Sequence, residues 1–439
     1  MFKLYNSIKF KRPIFQGWWV VLGAIFALVA SQGVSGAATG ILQRPMMDDL
    51  GWSSAEYSLS GTISLLLGGI LGVFSGQLLD HYGARKLIAI GATILGITFI
   101  YISTIESLLV FTLLTVIGGA AGASLAGPLV VNVTVAKWFV RYRGWALALG
   151  STGVSLGNIL WPLLMTYVVD TAGWRAGFLW RAVLMILLLG AATLLLRRKP
   201  EDYGLLPDGV KKQNTDDKAA QVGYQAVLAD ETNSYTRRSA IKTRALWLIS
   251  AAYGLNTAAM MAILMHGTAF ITDSDFSRSV AAIAFSINGF ANLTSKIPWA
   301  WSLARVPVRY LAAATLTFSG SGVVLMLVAS SLNSMPLVYL GFFLWGFGFG
   351  GTIPVGESIW ANYYGRKHLG SIRGIGMPLT IGLGAVGPIL VGLSFDVYAS
   401  YQFAFICLVV AYLIGASLLA LAPKPDPVSS ELSRSEFSS

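Results

Sequence analysis

Residues 76–86 read GQLLDHYGARK and join two long apolar runs. The stretch is polar, contains glycines and ends in a basic pair. Because glycine permits tight turns and charged side chains need water or polar partners, the pattern predicts a short polar loop between two membrane-spanning helices. Apolar runs of about 20 residues, each long enough to cross roughly 30 Å of hydrocarbon, recur along the chain from Gly17 to Leu421.

The composition is typical of an integral membrane protein. The chain has 439 residues, of which 55% are hydrophobic and 12% charged, and its mean hydropathy is +0.66. A soluble chain of this size needs more charge to cover its surface. The predicted fold class is therefore an all-α integral membrane protein with twelve transmembrane helices. The predicted spans, numbered 1 to 12 in chain order, are 17–43, 55–79, 86–104, 107–136, 144–168, 175–196, 244–271, 278–303, 309–330, 335–361, 371–395 and 401–421.

The basic residues predict the orientation of the chain. Most of the 31 Lys and Arg residues lie before span 1, in the loops after even-numbered spans, or after span 12. The positive-inside rule therefore places these segments and both termini in the cytoplasm, with the protein in the cell inner (plasma) membrane. The net charge of +11 therefore reflects the orientation of the chain in the membrane, and no nucleic acid partner is expected. The first apolar run is too long for a signal peptide and is interpreted as a retained helix.

The chain is predicted to contain two related halves. The polar segment 197–243 lacks a long apolar run and is interpreted as a cytoplasmic linker. Residues 300–310, AWSLARVPVRY, align with 76–86, and RGIGMPLTIGLGAVG aligns with RGWALALGSTGVSLG. A six-helix unit repeated in one orientation predicts two bundles with a site between them, as in an alternating-access transporter. The predicted divisions are a bundle at 1–196, the linker, a bundle at 244–422 and a cytoplasmic tail at 423–439.

A polar stripe runs along span 8. Asn288, Asn292 and Lys296 are spaced i, i+4 and i+8, so they share one helix face. A lysine inside a span costs roughly 2.5–3.5 kcal/mol by insertion scales and points to a functional site. Three interpretations are open: lining of a central cavity, snorkelling of the lysine towards the inner interface, or a structural pair. Snorkelling does not explain the asparagines, which favours the cavity.

Other polar residues within spans are also candidates. His266 on span 7 is predicted to contact substrate or a proton, or alternatively to pack as a satisfied histidine. Glu357 on span 10 is predicted to carry a proton or to pair with Arg373 or the Arg143 region. Residues assigned to cavity lining, with helix packing as the alternative, are Asn132, Gln32, Trp161 and Trp345. Residues predicted to act in conformational change, with a topogenic basic loop as the alternative for 76–86, are Gly76, Asp80, Gly83, Arg85, Lys86, Arg143 and Arg373.

No motif in the sequence predicts an enzyme, a cofactor or a metal site. A Walker-type phosphate loop is missing, there are three histidines, and Cys407 is the single cysteine. No His, Cys and carboxylate cluster has metal-ligand spacing. We therefore expect a monomeric transporter in the bilayer.

The motif at 76–86 resembles the G-x-L-x-D-R-x-G-x-R-K loop of the major facilitator superfamily, with His81 in place of the usual Arg. The stretches FQGWWVVLGA, WFVRYRGWALALGSTGVSLG, GWRAGF and YYGRKHLGSIRG resemble bacterial monocarboxylate and oxalate/formate-type carriers. The resemblance extends from Gly17 to about Leu421. It implies the major facilitator fold and secondary transport of a small organic anion, most simply a monocarboxylate, by proton symport or anion exchange. The alternative is a carrier of a neutral or drug-like solute.

The resemblance also bears on the span 8 stripe. Carriers of that branch commonly place an Arg on span 8 that binds the substrate carboxylate, ten residues after a Ser and four after an Asp or Asn. Ser286, Asn292 and Lys296 occupy these positions. The resemblance therefore implies that Lys296 binds the anionic head with Asn292 and Asn288, although a lysine lacks the planar pair of donors of an arginine. A single membrane cation at this position favours a monoanion over a dicarboxylate.

Overall fold

The structure, a computed structural model, describes residues 15–34, 36–210, 218–232 and 234–425, and all regular elements within these ranges are helices. The helices are, in chain order, Gln16–Gln32, Gly36–Leu50, Ser54–Tyr82, Ala84–Ile102, Leu108–Val116, the π-helical turn Ile117–Gly122, Ala123–Ala126, Pro128–Trp138, Arg143–Leu195, the 3-10 turns Pro200–Tyr203 and Pro207–Gly209, Lys218–Thr232, Arg237–Ala240, Arg244–Asp273, Arg278–Ser302, Val308–Leu332, Met335–Tyr364, Leu369–Ile375, Met377–Tyr398 and Gln402–Leu421.

The helices account for all twelve predicted spans. Within the described ranges, 9 helices are long and apolar enough to cross a membrane by length and composition. Helix Gln16–Gln32 is apolar but shorter, and helix Gly36–Leu50 continues span 1. Helix Arg278–Ser302 has 25 residues, which is long enough to cross, and it carries the polar stripe of span 8. The predicted all-α fold is confirmed.

Spans 5 and 6 form one element, Arg143–Leu195, with a break at Gly173. Its 53 residues would measure about 80 Å as a straight helix, far more than one membrane crossing requires. Gly173 has φ 81° and ψ 173°, a conformation that lacks a steric cost only for glycine. The chain therefore reverses at a single residue, where the sequence predicted a short loop.

Both ends of the described chain lie at the same end of the molecule, which we call the inner end. The ring of Phe15 packs on Trp138 and Phe139 at the end of span 4, with centroid distances of 5.8 and 5.7 Å. Near the other terminus, the carbonyl of Ala422 accepts a hydrogen bond from the hydroxyl of Tyr363 at the end of span 10. We call the opposite end of the molecule the outer end.

The two six-helix bundles meet along related surfaces. Span 2 packs against span 11, and span 5 packs against spans 8 and 10. Glycines allow the close approach, since a Cβ on Gly76 would overlap the carbonyl of Gly370. A Cβ on Gly144 of span 5 would lie 2.8 Å from Leu303 at the end of span 8. The contact that corresponds to the 76–86 loop in the second half is therefore apolar.

Candidate functional site

Lys296 lies at the contact between the two bundles. Its side chain is buried, with 4% of the residue exposed. The ammonium Nζ donates a hydrogen bond to Oδ1 of Asn292 at 3.2 Å. The hydroxyl of Ser155, on span 5 of the other bundle, donates to the same oxygen at 3.2 Å. Asn292 therefore joins the cation to the opposite half of the molecule.

The charge of Lys296 has no protein counter-ion in the described part of the chain. Its hydrogen bond goes to a neutral amide, and the ion pairs among the described residues all involve other cations. A buried charge without a partner is costly, and an anion in contact with it would offset that cost. The local chemistry suits the head group of a small anion.

The rest of the stripe packs against glycines of span 10. A Cβ on Gly346 would lie 2.8 Å from Nδ2 of Asn288, and a Cβ on Gly350 would overlap Asn292 and Ser295. Asn288 is buried, and its Nδ2 has no hydrogen-bond partner among the described residues. The stripe therefore faces the protein interior, as its spacing predicts. The residues exposed on the opposite face are Ile283, Phe290 and Ile297. Ser286, which the resemblance placed with the stripe, is exposed as well.

His266 is not brought next to Lys296. Its Nε2 lies 3.0 Å from the carbonyl oxygen of Pro388 on span 11, which can only accept, so the nitrogen donates. The ring also lies against Tyr401, with a centroid distance of 5.7 Å. His266 is near the outer end of span 7, whereas Lys296 is near the inner end of span 8. The histidine therefore links span 7 to span 11, and its predicted roles in substrate and proton binding stay predictions.

The four cavity-lining candidates take part in helix packing. The indole of Trp161 donates to a backbone carbonyl of span 1 at 2.7 Å. The indole of Trp345 donates to the hydroxyl of Tyr412 at 3.0 Å. Asn132 is buried within span 4. The side chain of Gln32 packs so closely on a glycine of span 5 that a Cβ added there would meet it. These contacts correspond to the packing alternative.

Asp80 joins the two bundles at the inner end. Its Oδ1 accepts from Nζ of Lys137 at 2.6 Å and from the backbone N–H of Gly370 at 3.2 Å. Its Oδ2 accepts from the N–H and the hydroxyl of Ser371 at 2.7 and 2.6 Å. Lys137 belongs to the first bundle, whereas Gly370 and Ser371 begin span 11 in the second. We call these four residues the inner junction.

The basic pair of the loop lies outside this junction. Arg85 and Lys86 are exposed. Arg198 supplies a different contact by donating to the backbone carbonyl of Asp80 at 2.9 Å. The turn itself depends on Gly83, whose φ of 79° favours glycine. The predicted roles of Arg85 and Lys86 in conformational change stay predictions.

The linker takes part in a second set of contacts at the inner end. Arg143 donates to Oδ1 of Asn362 at 2.9 Å and to Oδ1 of Asp230 at 3.0 Å. Asp230 also pairs with Arg366 at 3.4 Å, and Glu231 accepts from Arg366 at 2.7 Å. Asp230 and Glu231 lie in the helix Lys218–Thr232, so the predicted linker is partly helical and bridges the two bundles. We call Arg143, Asp230, Glu231 and Arg366 the linker cluster.

Glu357 pairs with Arg373. Two guanidinium nitrogens of Arg373 each lie 3.4 Å from a carboxylate oxygen of Glu357. The guanidinium also lies over the ring of Trp360, 5.3 Å from its centroid. This geometry corresponds to the structural interpretation of Glu357 and stabilises the start of span 11 against span 10.

A cavity of about 620 Å³ opens beside the inner junction and is lined by Asp80, Lys137 and His368. His368 lies between spans 10 and 11. Burial lowers the pKa of its imidazole from the ordinary value of 6.5, an effect that Asp80 opposes and that Lys367 and Lys137 reinforce. His368 is therefore mainly neutral at pH 7 and adds little charge to the junction.

Replacing Asp230 with asparagine should destabilise the protein by about 3 kcal/mol, because two buried guanidinium groups lose their shared carboxylate. Thermal unfolding of the purified protein measures this loss. Asp202→Asn is the matched control, since Asp202 is partly exposed and lies 3.6 Å from Lys199. We expect the control to change stability by less than about 0.5 kcal/mol. Equal effects of the two substitutions would contradict the bridging role of Asp230.

Comparisons with known proteins agree with this architecture. A family model described as Major Facilitator Superfamily matches residues 21–375 and, in a second alignment, residues 246–438. The MFS-type transporter pytF of Aspergillus terreus is 31% identical over 166 residues, which cover 37% of this chain and 55% of that protein. Monocarboxylate transporter 6 of Mus musculus is 32% identical over 166 residues, which cover 37% of this chain and 34% of that protein. The aligned region thus spans between a third and just over half of each relative.

The proton:xylose symporter XylE, solved with bound 6-bromo-6-deoxy-D-glucose, has the same fold. Its TM-score is 0.69 at 14% identity, over 93% of this chain and 96% of that chain. At this identity the likeness concerns the fold alone. The family model covers well over half of the residues, and its members are multi-pass membrane transporters and not enzymes. Motif, architecture and family model agree: this chain belongs to the major facilitator superfamily.

Proposed function

We propose that this transporter carries a small organic monoanion, most simply a monocarboxylate, by alternating access, with Lys296 as the group that binds the anion. The observation that carries the proposal is the buried ammonium of Lys296, whose partner is a neutral amide at the contact between the bundles. The similarity to a relative named monocarboxylate transporter 6 supports the same class of substrate.

The polar groups of the stripe are spaced to contact a small carboxylate with a second polar group. A lysine side chain in a helix extends towards the helix N-terminus, and the Nζ of Lys296 accordingly reaches the level of Asn292. Asn288 lies four residues further, about 6 Å along the axis. Its Nδ2 is buried against span 10 and has no partner among the described residues, so an oxygen of a ligand that reaches it would complete its hydrogen bonding. Lys296 would thus hold the carboxylate and Asn288 the other end.

The inner junction and the linker cluster serve as the inner gate in this proposal. Both connect the bundles at the inner end, so the bundles separate there only if Asp80 and Arg143 lose these partners. We propose a monomer in the inner (plasma) membrane, with both termini and the linker 197–243 in the cytoplasm. The distribution of Lys and Arg supports this orientation. The bundles would be 1–196 and 244–422, followed by the tail 423–439.

Two modes of coupling fit the site, and proteoliposomes separate them. For proton symport, acidifying the outside drives accumulation of labelled carboxylate in empty vesicles. For anion exchange, accumulation requires preloaded internal carboxylate and does not depend on the external pH. The residue beside Lys296 is the amide Asn292, which is not an acid. Glu357 is an acid but is paired with Arg373. Neither position therefore supplies a free acid to carry a proton.

A thermal-shift screen tests the proposed substrate class. Purified protein is heated with a panel of small carboxylates, such as formate, acetate, lactate and pyruvate, and with the matched neutral amides. We expect a carboxylate to raise the unfolding temperature where its amide does not, because only the anion compensates Lys296. Stabilisation by neutral or drug-like solutes alone would overturn the proposal in favour of the alternative carrier type.

A further inference from the structure

A second buried cation lies in the first bundle. Arg181 is on span 6, eight residues after the break at Gly173, which places it about 12 Å from the outer end of the span. Only 2% of the residue is exposed. It therefore lies within the membrane-spanning part of the bundle and does not reach the outer surface.

The guanidinium of Arg181 has unused hydrogen-bonding capacity. One nitrogen, Nη2, donates to the hydroxyl of Thr39 at 2.9 Å, whereas Nε has no partner among the described residues. The rings of Phe99 and Phe178 lie beside it, with distances from Cζ to the centroids of 4.5 and 5.8 Å. An arginine has five N–H donors, so the guanidinium can bind a further acceptor besides Thr39.

Arg181 and Tyr57 line the same cavity, which has a volume of about 590 Å³. The hydroxyl of Tyr57 is buried and has no partner in the described part of the chain. Arg181 is the one charged residue among the described residues of the lining. Apolar, glycine and hydroxyl-bearing residues share the wall, and Met377 and Ile381 of the second bundle complete it. A volume of this size with a single charged group is within the range of small-molecule sites.

We propose that this cavity is a second anion site, which binds a carboxylate attached to a compact apolar or aromatic body. Arg181 binds the carboxylate through its fork of N–H donors, and Tyr57 donates a further hydrogen bond. The apolar body lies against Phe99 and Phe178. None of the described residues in the lining belongs to span 8, so the site is separate from Lys296 and does not depend on its proposed role.

Sodium benzoate tests the proposal, with benzamide as the neutral ligand of the same shape. Binding is measured by calorimetry on protein in phosphatidylcholine nanodiscs, so that no anionic lipid competes. We expect benzoate to bind the wild type and the Lys296→Gln variant with similar affinity, and benzamide to bind neither. Loss of benzoate binding in Lys296→Gln, or equal binding of benzamide, would overturn the second site. Absence of benzoate binding to the wild type would overturn it as well.

Substitutions in the cavity assign the contact. In the Lys296→Gln background, where only the cavity is tested, Arg181→Gln should abolish benzoate binding, and Tyr57→Phe should weaken it about tenfold, the effect of one hydrogen bond to a charged group. Tyr57→Phe keeps the ring, so this variant still tests the proposed site if Arg181→Gln fails to fold. Arg175→Gln is the control, because Arg175 lies at the outer end of the same span, is 44% exposed in its side chain and should leave binding unchanged. Unchanged affinity in Tyr57→Phe would contradict the site.

Discussion

Replacing Lys296 with glutamine should reduce carboxylate uptake at least about 30-fold. Truncating one partner of a buried charge pair costs 2–5 kcal/mol or more, and every 1.4 kcal/mol corresponds to about tenfold. Glutamine keeps a polar side chain of similar reach, so the loss reports the charge. Lys296→Arg retains the cation and should retain most of the uptake. The measurement is the initial rate in proteoliposomes that contain equal amounts of folded protein.

Arg278→Gln is the matched control for this prediction. It removes one positive charge from the same helix, at its exposed outer end. We expect uptake to remain close to that of the wild type. If Lys296→Gln and Arg278→Gln transport equally well, Lys296 does not bind the substrate. Equal loss in Lys296→Gln and Lys296→Arg would show that the site depends on the shape of the lysine and not on its charge.

Replacing Asp80 with asparagine should open the inner end of the protein. The carboxylate of Asp80 accepts four hydrogen bonds, three of them from the second bundle, and an amide replaces one acceptor oxygen with an NH2 group that cannot accept from these donors. We expect a cost of about 3 kcal/mol to the closed arrangement, because hydrogen bonds to a charged acceptor are lost across the bundles. Every 1.4 kcal/mol is about tenfold in an equilibrium constant, so the ratio of closed to open protein should fall about a hundredfold.

Spin labels at the inner end measure this opening. Tyr82→Cys in the first bundle and Lys367→Cys in the second are both exposed positions, and Cys407→Ser removes the native thiol. Asp80→Asn should lengthen the distance between the two labels. Asp170→Asn, an exposed acid near the outer end of span 5, should leave it unchanged. An unaltered distance in Asp80→Asn would contradict the role of the inner junction.

Much of the fold was predictable because hydrophobic runs and the 76–86 motif are local patterns. The predicted loop between spans 5 and 6 was the main difference, since a single glycine at φ 81° reverses the chain. The linker differed as well. Its composition is polar, but Asp230 is fixed by Arg143 and Arg366, residues that lie far away in the sequence.

The candidate site was predictable only along one helix. The spacing of Asn288, Asn292 and Lys296 specified their shared face, because helix periodicity is local. The contact from Ser155 comes from another bundle and has no signal in the sequence. The burial of Arg181 was not predicted, since hydropathy defines span boundaries only to within several residues. Its burial follows from the position of the break at Gly173.

A thermodynamic cycle on the ligand and Lys296 tests the central claim most directly. Affinities are measured by calorimetry for the carboxylate found in the screen and for its amide, with wild-type protein and with Lys296→Gln. If the ammonium contacts the carboxylate, the two changes are coupled, and we expect a coupling energy of at least about 1.5 kcal/mol, the lower end for close charge pairs. Losses that add to within about 0.5 kcal/mol would show that Lys296 does not contact the anion and would contradict the account.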